Sequence, residues 1–312
     1  MCRQSWGHTL ADGQGEARVK HVFGSSETER KLGCLRGYLS AYSIALSKQN
    51  FARVYIDAFA GTGDRTETRA VLPSIFTSNE ESIEEITTPG SARIAIDTTP
   101  AFHSVALIEN DPEKVGALRK IAEEYPDRRV HIREGDANAE VQRICNRYSW
   151  KEERMRGVIF LDPYGMEVSW ETVEAIARTE ALDCWYFFPL SGLYRNAPKD
   201  PLKLDQSKID ALNRVFGTDS WRQDWYASGE ASADLLGDLF VRERRIFDVD
   251  KIEDWVHARL KTIFKGTVLK PLRLKHANGA PMASLFFAVS NPSKAAVKVA
   301  SDIANHILKA GI

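Results

Sequence analysis

Four acidic side chains stand at or just after the ends of short apolar segments, where a carboxylate is well placed to hold a ligand. They are Asp57, Glu109, Asp136 and Asp162. Short apolar segments of this kind are typical of buried strands, and ligands of open α/β sheets collect outside the carboxyl ends of the strands. The four carboxylates therefore predict one binding site along the edge of a sheet.

A turn with two glycines directly follows the first of these segments. Glycine allows close approach of the backbone to a ligand, and the N-terminus of a following helix offers N–H groups to a carboxylate or phosphate. A plain turn between a strand and a helix is the alternative. We predict that the turn binds a cofactor through Asp57, Ala58, Phe59, Ala60, Gly61, Thr62 and Gly63.

Glu109 and Asn110 end the second predicted strand. A carboxylate at this position can accept both ribose hydroxyl hydrogens of an adenosine, in a dinucleotide or in S-adenosylmethionine. Glu109 lies about fifty residues beyond the glycine turn, against the usual twenty or so. Residues 65–88 account for the excess, because their weak periodicity predicts a long loop that could act as a lid. The alternative for Glu109 is an ordinary surface glutamate.

The third predicted strand leads into the turn Glu134-Gly135-Asp136-Ala137-Asn138. Asp136 and Ala137 stand where the amino group of an adenine could donate a hydrogen bond, so we predict that they contact the cofactor. The alternative for Asp136 is a helix cap, which is the commoner role of an aspartate in such a turn.

The fourth predicted strand ends in Asp162-Pro163-Tyr164-Gly165, the tetrapeptide with the most evident chemistry. Asp162 offers a carboxylate, Pro163 stiffens the turn, and Tyr164 offers a flat ring. Together they could hold an amino group and stack a base, so we predict that they form a catalytic group. The alternative is a strand-terminating turn with a half-buried tyrosine.

The predicted elements that position these residues alternate between strands and helices, which is typical of a parallel sheet with crossover helices. The predicted strands are Arg53–Phe59, Ser104–Glu109, Arg129–Arg133, Gly157–Asp162 and Asp183–Pro189. One helix is expected between Glu27 and Lys48, one from Asp111 to about Tyr125, one capped by Ser169 and one after Ser293. The segments 268–275 and 282–290 flank an Asn-Gly turn and predict an antiparallel pair at the sheet edge.

Residues 191–265 break this alternation, and we expect them to form an inserted, mainly helical unit that binds a substrate or a partner. Its predicted helices are Ile209–Phe216, Leu235–Phe247 and Val249–Phe264. The unit contains the basic residues Arg242, Arg244 and Arg245 and the aromatic residues Trp221 and Trp225. Basic and aromatic side chains together can bind nucleic acid. In the alternative interpretation the arginines lie on a solvated face and the tryptophans pack in a core.

We therefore expect a tail at 1–19, a main domain formed by 20–190 and 266–312, and the insertion at 191–265. The formal charge of −1 provides no global basic field. The four scattered cysteines form no pair typical of a zinc site or a disulfide framework. No apolar run is long enough to span a membrane and no signal peptide is evident, so we expect a cytoplasmic protein that uses neither metal nor membrane.

Several short motifs, taken together, resemble those of the three-Cys-motif partner protein family. They are KHVFG from Lys20, YIDAFAGTG, PGSARIAID from Pro89 to Asp97, IEND, GDAN, FLDPYG and LFFAVSNP from Leu285 to Pro292. Each motif is short, but their order and spacing extend from about Lys20 almost to the end of the chain. The family is named for a companion protein that carries three cysteines.

The resemblance implies a class I S-adenosylmethionine-dependent methyltransferase fold: a doubly wound, mostly parallel, seven-stranded Rossmann-like sheet with an antiparallel edge hairpin. It implies that Asp57–Gly63 contacts the methionine and ribose portions of the cofactor. Glu109 would bind the ribose, Asp136 would lie near the adenine, and Asp162–Tyr164 would face the methyl acceptor. The Asp162–Tyr164 turn adds the hypothesis of methyl transfer to a nucleic acid, at a base amino group or a similar acceptor.

One departure from the usual pattern affects the acceptor. Methyltransferases of base amino groups carry an acid or asparagine, two prolines and an aromatic residue, whereas a single proline precedes Tyr164 here. A second hypothesis is therefore a partner protein that works by complex formation with the three-cysteine companion, with or without bound cofactor. An NAD-type Rossmann enzyme is disfavoured because no third glycine stands at the expected place.

Overall fold

The computed structural model of the protein describes residues 26–71, 82–233 and 239–310. These residues form ten α-helices, a short 3-10 helix at Pro201–Lys203 and twelve strands. The helices are α1 (Ser26–Leu46), α2 (Ser91–Asp97), α3 (Pro112–Glu123), α4 (Ala137–Arg147), α5 (Trp170–Arg178), α6 (Leu190–Asn196), α7 (Gln206–Phe216), α8 (Trp221–Trp225), α9 (Val249–Lys261) and α10 (Lys294–Ala310). The strands are β1 (Ala52–Asp57), β2 (Asp64–Val71), β3 (Ser82–Pro89), β4 (Ser104–Glu109), β5 (Val130–Glu134), β6 (Met155–Leu161), β7 (Leu182–Phe188), β8 (Tyr226–Ala233), β9 (Leu239–Arg245), β10 (Thr267–Val268), β11 (Leu272–Lys275) and β12 (Pro281–Val289).

The central sheet follows the order β10-β12-β7-β6-β1-β4-β5, and β11 also pairs with β12. The strands β7, β6, β1, β4 and β5 are parallel, whereas β12 is antiparallel to β7, β10 and β11. The chain starts in the middle of the sheet at β1, builds outward through β4 and β5, and then returns to β6. The predicted fold class, a mostly parallel Rossmann-like methyltransferase sheet with an antiparallel edge, is confirmed, although the sheet has eight strands where seven were expected.

Helices cover both faces of the sheet because successive residues of a buried parallel strand point to opposite sides. On β6, Val158 and Phe160 pack into a core with α1, α2, α3 and α10. Ile159 and Leu161 pack into a second core with α4 to α9. All four side chains are fully buried. The strand ends are thus held between two packed layers, which fixes the positions of the residues that follow them.

Several predicted element boundaries are confirmed, each with a visible physical cause. The side chain of Asp111 accepts hydrogen bonds from the first turn of α3, with proline at the first helical position. Ser169 caps α5 in the same way. Gly217 ends α7 at φ 61°, in the left-handed region that favours glycine. The predicted tail at 1–19, together with Lys20 and His21, lies outside the described residues.

The prediction of a loop at residues 65–88 is wrong. β2 and β3 form an antiparallel pair whose register runs from Asp64 opposite Pro89 to Val71 opposite Ser82. Within the described residues the two strands pair only with each other, outside the central sheet. Their sequence lacks the apolar alternation that identifies strands, which is why its pattern predicted a loop. We call this hairpin the arm.

The interpretation of residues 191–265 needs two corrections. The predicted helix Leu235–Phe247 is wrong, because its described part contains β9, which pairs with β8 in a second isolated hairpin. The tryptophans of the supposed nucleic-acid surface are also buried. Trp221 and Trp225 have no exposed surface and lie in the same core as the sheet residue Phe188. Neither tryptophan can therefore stack on a nucleic-acid base, and the alternative of core packing is confirmed for both.

Candidate functional site

The glycine turn is fastened to the strands on both sides of β1. The N–H of Ala58 donates to the carbonyl of Phe160 on β6 at 3.1 Å, and the N–H of Ala60 donates to the carbonyl of Ile108 on β4 at 2.9 Å. Gly63 has φ 82°, and a Cβ there would lie 2.5 Å from the side chain of Ile121. The positive φ and the close side chain therefore favour glycine at Gly63. The hydrogen bonds of Ala58 and Ala60 hold the turn in one conformation.

The expected helix after the glycine turn is present, but the arm stands between the two in sequence. β2 leaves the turn at Asp64, and α2 begins at Ser91 where the arm returns. The N–H of Gly90 donates to the carbonyl of Gly63 at 3.0 Å, which closes the base of the arm. Arg93 of α2 also binds both carboxylate oxygens of Asp64, at 2.6 and 2.7 Å. The arm is thus inserted in sequence between the glycine turn and α2, but the turn and the helix remain next to each other in space.

Glu109 is held at the carboxyl end of β4 by three backbone N–H groups. Gly61 donates to one carboxylate oxygen at 3.0 Å, and Asn110 and Asp111 donate to the other at 3.0 Å each. The residue is only 6% exposed. These hydrogen bonds from backbone N–H groups fix the orientation of the carboxylate. Glu109 therefore joins the glycine turn to the second strand and still has lone pairs for a ligand.

Asp57 lies beneath the glycine turn and is fully buried. Its carboxylate accepts hydrogen bonds from the N–H of Phe59 at 3.3 Å and the hydroxyl of Tyr55 at 3.2 Å, and also from the side chain of Ser91. Burial raises the pKa of Asp57 to about 6, and the nearby charge of Asp162 adds to this rise, while the hydrogen bonds oppose it. Asp57 thus supports the turn from below.

Two neighbouring cavities open along the carboxyl edge of the sheet. The acidic cavity, about 280 Å³, is lined by Ala58, Phe59, Ile108, Glu109, Asn110, Lys114, Gly135, Asp136, Ala137, Asn138, Tyr164, Glu167 and Arg214. The glycine cavity, about 140 Å³, is lined by Thr28, Lys31, Leu32, Phe59, Ala60, Gly61, Thr62, Gly63, Asp64, Arg65, Gly90, Ser91, Asp162 and Tyr164. Phe59 and Tyr164 line both, so the two cavities form one elongated cradle.

The predicted cofactor residues are distributed over this cradle. Ala58, Phe59, Glu109, Asn110, Asp136 and Ala137 line the acidic cavity, and Phe59, Ala60, Gly61, Thr62 and Gly63 line the glycine cavity. Asp57 lines neither cavity. Asp136 is exposed and accepts the N–H of Ala139 at 2.9 Å, so its alternative role as the cap of α4 is confirmed. Its predicted contact with an adenine stays a prediction.

The predicted catalytic residues occupy the side of the cradle next to β6. Both carboxylate oxygens of Asp162 face Lys31, whose ammonium lies 2.8 and 2.6 Å from them. Pro163 is buried and lines neither cavity. Tyr164 is 78% exposed, with the ammonium of Lys114 5.0 Å from its ring centre. The predicted half-buried tyrosine of the alternative interpretation is therefore wrong, and the ring is open to a ligand.

Lys31 is a site residue that the sequence-based prediction missed. It lies on α1, is 8% exposed, and rests over the ring of Phe187 at 4.3 Å. A signal was available, because Lys31 stands four residues before Leu35 and seven before Tyr38, on the buried face of the helix. A lysine on such a face needs a partner, since a buried unpaired charge is costly. The partner, Asp162, lies 131 positions further along the chain.

Arg214 is a second missed residue, and it comes from the inserted segment. It lines the acidic cavity from α7 and donates to the carbonyl of Met166 at 2.8 Å. Asn138, which also lines this cavity, donates to the carbonyl of Glu167 at 3.0 Å and accepts the N–H of Ser169 at 2.9 Å. The turn after β6 is therefore held from two sides. Only the tertiary structure brings these residues together.

Neither a metal centre nor a membrane span is found within 26–71, 82–233 and 239–310. No group of three or more histidine, cysteine, aspartate or glutamate side chains there is arranged to hold a metal ion. None of the helices in these ranges is both long enough and apolar enough to cross a bilayer.

Comparisons with known proteins support the fold. No family model matches the sequence, and no curated protein matches it. Among solved structures, protein LPL1258 from Legionella pneumophila is similar with a TM-score of 0.50 and 14% identity, over 89% of this chain and 90% of that one. At this identity the similarity shows the fold alone, and it extends over nearly the whole chain.

Two further solved structures are similar at a lower level. An S-adenosylmethionine-dependent methyltransferase from Clostridium acetobutylicum has a TM-score of 0.36 and 10% identity, over 82% of this chain and 92% of that one. TYW2 from M. jannaschii, solved in complex with AdoMet, has a TM-score of 0.30 and 12% identity, over 86% of this chain and 78% of that one. The resemblance to the three-Cys-motif partner family stays a prediction.

Proposed function

We propose that the protein is an S-adenosylmethionine-dependent methyltransferase that acts on a nucleic acid, at a base amino group or a similar acceptor. The observation that carries the proposal is the carboxylate of Glu109, which three backbone N–H groups fix opposite the glycine turn. A preorganised acceptor at this strand end suits the two hydroxyl groups of a ribose. The elongated cradle on either side of Glu109 suits a nucleoside joined to an amino acid.

The residues of the cradle fit this cofactor in a definite orientation. Glu109 would accept the ribose hydroxyls, and Asp136 and Ala137 would lie beside the adenine in the acidic cavity. The turn Ala60–Gly63 and the first residues of α2 would receive the methionine portion in the glycine cavity. When bound, the cofactor supplies an electrophilic methyl group on a sulfonium. The protein then has to align an acceptor and exclude water.

Asp162 and Tyr164 are placed to align that acceptor. Asp162 would accept a hydrogen bond from an acceptor N–H, while Lys31 fixes the direction of its carboxylate through contacts to both oxygens. The exposed ring of Tyr164 would stack on a flat base, and a base in a duplex would first have to be flipped out. The single proline places this ring one position earlier than the usual pattern, directly between the two cavities.

Transfer of a labelled methyl group from S-adenosylmethionine to nucleic acid tests the proposal. The wild-type protein is expected to label RNA or DNA, and Asp162→Ala is expected to lose this activity while it still binds the cofactor. Asp127→Ala is the matched control, because Asp127 is an exposed aspartate on the loop before β5. Equal labelling by the Asp162→Ala variant would remove Asp162 from the mechanism, and no labelling by the wild type would contradict the function.

A second proposal is complex formation with a companion protein, and the arm favours it. Among the strands that the structure describes, β2 and β3 pair only with each other, so no described strand covers their outer edges. An isolated two-stranded hairpin is marginally stable in water, and free edges are ready to pair with another chain. Pull-down of the three-cysteine companion from a co-expression strain tests this role. Recovery that persists after removal of residues 66–87 would show that the arm is not the contact.

A further inference from the structure

Arg245 is a buried cation that has no counter-charge among the residues that the structure describes. Its residue is 8% exposed, and its Nε and Nη1 atoms are buried without a hydrogen-bond partner. Within the part of the chain that the structure describes, no carboxylate forms an ion pair with it. Its planar group lies over the ring of Tyr194, 4.6 Å from the ring centre. Burial of a guanidinium is costly unless an anion balances it, so this arrangement indicates a missing anionic partner.

The position of Arg245 connects it to the acceptor side of the cradle. Arg245 ends β9, and its N–H donates to the carbonyl of Lys199 at 2.8 Å, in the segment that follows α6. α6 begins directly after the carboxyl end of β7 and carries Tyr194. The amide of Asn196, also on α6, lies 3.3 Å from the sulfur of Met166, two residues beyond Tyr164. Arg245 is therefore one short helix away from the predicted acceptor turn.

The surroundings of Arg245 are basic. Arg195, Lys199 and Arg244 are exposed neighbours of Tyr194 and Arg245 in sequence or by direct contact. Three acids belong to the same region. Asp200 and Asp248 accept N–H groups at the starts of helices, and Glu243 is exposed on β9. The segments around Arg245 thus carry three further cationic residues, and two of their three acids already cap helices.

We infer that Arg245 and Tyr194 form a phosphate-binding subsite for the backbone of a single-stranded nucleic acid. The inference rests on the proposed function, since it assigns this strand to the acceptor of the methyl group. The guanidinium donates to a phosphate oxygen, and the half-exposed ring of Tyr194 supports a neighbouring base or sugar. Arginine beside an aromatic ring is a general means of binding single strands. The strand then runs from Arg245 across α6 towards Tyr164.

Fluorescence anisotropy with a labelled single-stranded RNA of about 12 nucleotides tests the subsite, without cofactor in the assay. Arg245→Met is expected to weaken RNA binding about tenfold, the loss that corresponds to one charge-assisted hydrogen bond. It is also expected to lower the slope of log affinity against log salt by about one between about 50 and 200 mM salt. Arg245→Lys keeps the charge and should retain most of that slope.

Arg147→Met is the matched control for the anisotropy experiment. Arg147 also lies over a tyrosine, Tyr148, at 5.7 Å, but it is exposed on α4. Equal RNA affinity and equal salt slope in Arg245→Met and Arg147→Met would overturn the inference. Binding of a poly-glutamate peptide in place of RNA would also overturn it, in favour of a protein partner. Urea unfolding provides a second readout, because Arg245→Met removes an unpaired buried charge and should not lower the free energy of unfolding.

The outcomes separate this inference from the proposed function. RNA binding that depends on Arg245 in a protein that does not bind S-adenosylmethionine would support the subsite and contradict the methyltransferase. Cofactor binding and methyl transfer that are unchanged in Arg245→Met, together with unchanged RNA binding, would support the methyltransferase and contradict the subsite.

Discussion

The two halves of the cradle are built in different ways. In the cofactor half, formed by Ala58–Gly63 and Glu109, backbone N–H groups within one sheet edge fix the ligand-binding atoms. In the acceptor half, formed by Asp162–Tyr164 and Lys31, an ion pair between distant segments holds the carboxylate, and the aromatic ring is exposed. The cofactor half is therefore preorganised by local structure, whereas the acceptor half depends on how α1 packs on the sheet.

The difference has a functional consequence. A cofactor of constant structure is best bound by rigid backbone donors and a buried carboxylate, which lose little entropy when the ligand arrives. An acceptor that has to enter and leave needs an open ring and a side-chain contact. Substitutions in one half should therefore change one activity and spare the other.

Lys31→Met is expected to give the largest difference between the loss of methyl transfer and the loss of cofactor affinity. The substitution leaves Asp162 without its counter-charge and without the contact that fixes its direction, in an ion pair whose side chains are 10% and 23% exposed. Methyl transfer should fall by a factor on the order of 100 or more, while affinity for S-adenosylmethionine changes less than about twofold. Single-turnover methylation and equilibrium dialysis give the two numbers. Lys48→Met is the control, since Lys48 is exposed beyond the end of α1.

Loss of cofactor affinity in Lys31→Met as large as the loss of methyl transfer would contradict the division of the cradle. It would mean that the ion pair supports the glycine cavity as a whole, which Lys31 and Gly61 both line.

Glu109→Gln should produce the opposite pattern. The amide cannot accept all three backbone N–H groups with the strength of a carboxylate, and its NH2 group faces donors. Cofactor affinity should fall about 100-fold, which is the loss of two hydrogen bonds to a charged group. RNA affinity in the anisotropy assay should stay unchanged. Glu134→Gln serves as the control, because Glu134 ends β5 and is exposed beside Arg119.

The glycine turn and Glu109 could be predicted from the sequence because their signals are local. The turn follows an apolar strand directly, and the excess length between Gly63 and Glu109 was assigned to an insertion at 65–88. The structure confirms the insertion but makes it a hairpin. Local signals failed there because the sequence of the arm lacks the alternation of apolar and polar residues that identifies a strand.

Lys31 and the hairpin of β8 and β9 show what a prediction from local sequence patterns misses. A lysine on the apolar face of α1 requires a partner, but nothing local identifies Asp162 as that partner. The segment Leu235–Phe247 has leucines and arginines at helical spacing, yet pairing with β8 gives β9. Tertiary pairing overrides local propensity in such segments. The nucleic-acid interpretation of Trp221 and Trp225 failed for the same reason, since their burial depends on contacts made by the whole fold.

The third prediction concerns pH and the buried Asp57. The ionised carboxylate of Asp57 is the stronger acceptor for the N–H of Phe59 in the glycine turn, so we expect cofactor affinity to rise with pH. With the pKa raised to about 6 by burial, affinity should increase about tenfold between about pH 5 and 7 if only the ionised form binds well. Calorimetry at several pH values checks this, and Asp57→Asn should give a flat profile. A tenfold rise that persists in Asp57→Asn would assign the effect to another group.

The raised pKa of Asp57 also makes the stability of the cofactor-free protein depend on pH. The folded pKa of Asp57 is raised above its ordinary value, so its contribution to stability is complete below about pH 4 and is lost as pH rises through about 6. The loss is on the order of 3 kcal/mol. In Asp57→Asn the unfolding free energy should therefore depend less on pH across this window.

The smallest effect is expected for Tyr164→Phe. The ring is retained, and the proposed role of Tyr164 is stacking, so methyl transfer should change less than about twofold, whereas Tyr164→Ala should lose about tenfold by removal of one base-stacking contact. Methyl transfer rates for the two variants provide the comparison. A large loss in Tyr164→Phe would show that the hydroxyl group takes part, as a hydrogen-bond donor to the acceptor.

The central claim is that the cradle binds S-adenosylmethionine, and calorimetric titration of the ligand-free protein tests it most directly. The account predicts one cofactor bound per chain in the wild type, with competition by S-adenosylhomocysteine for the same site. Absence of binding in correctly folded wild-type protein would contradict the account, and so would binding that S-adenosylhomocysteine does not displace.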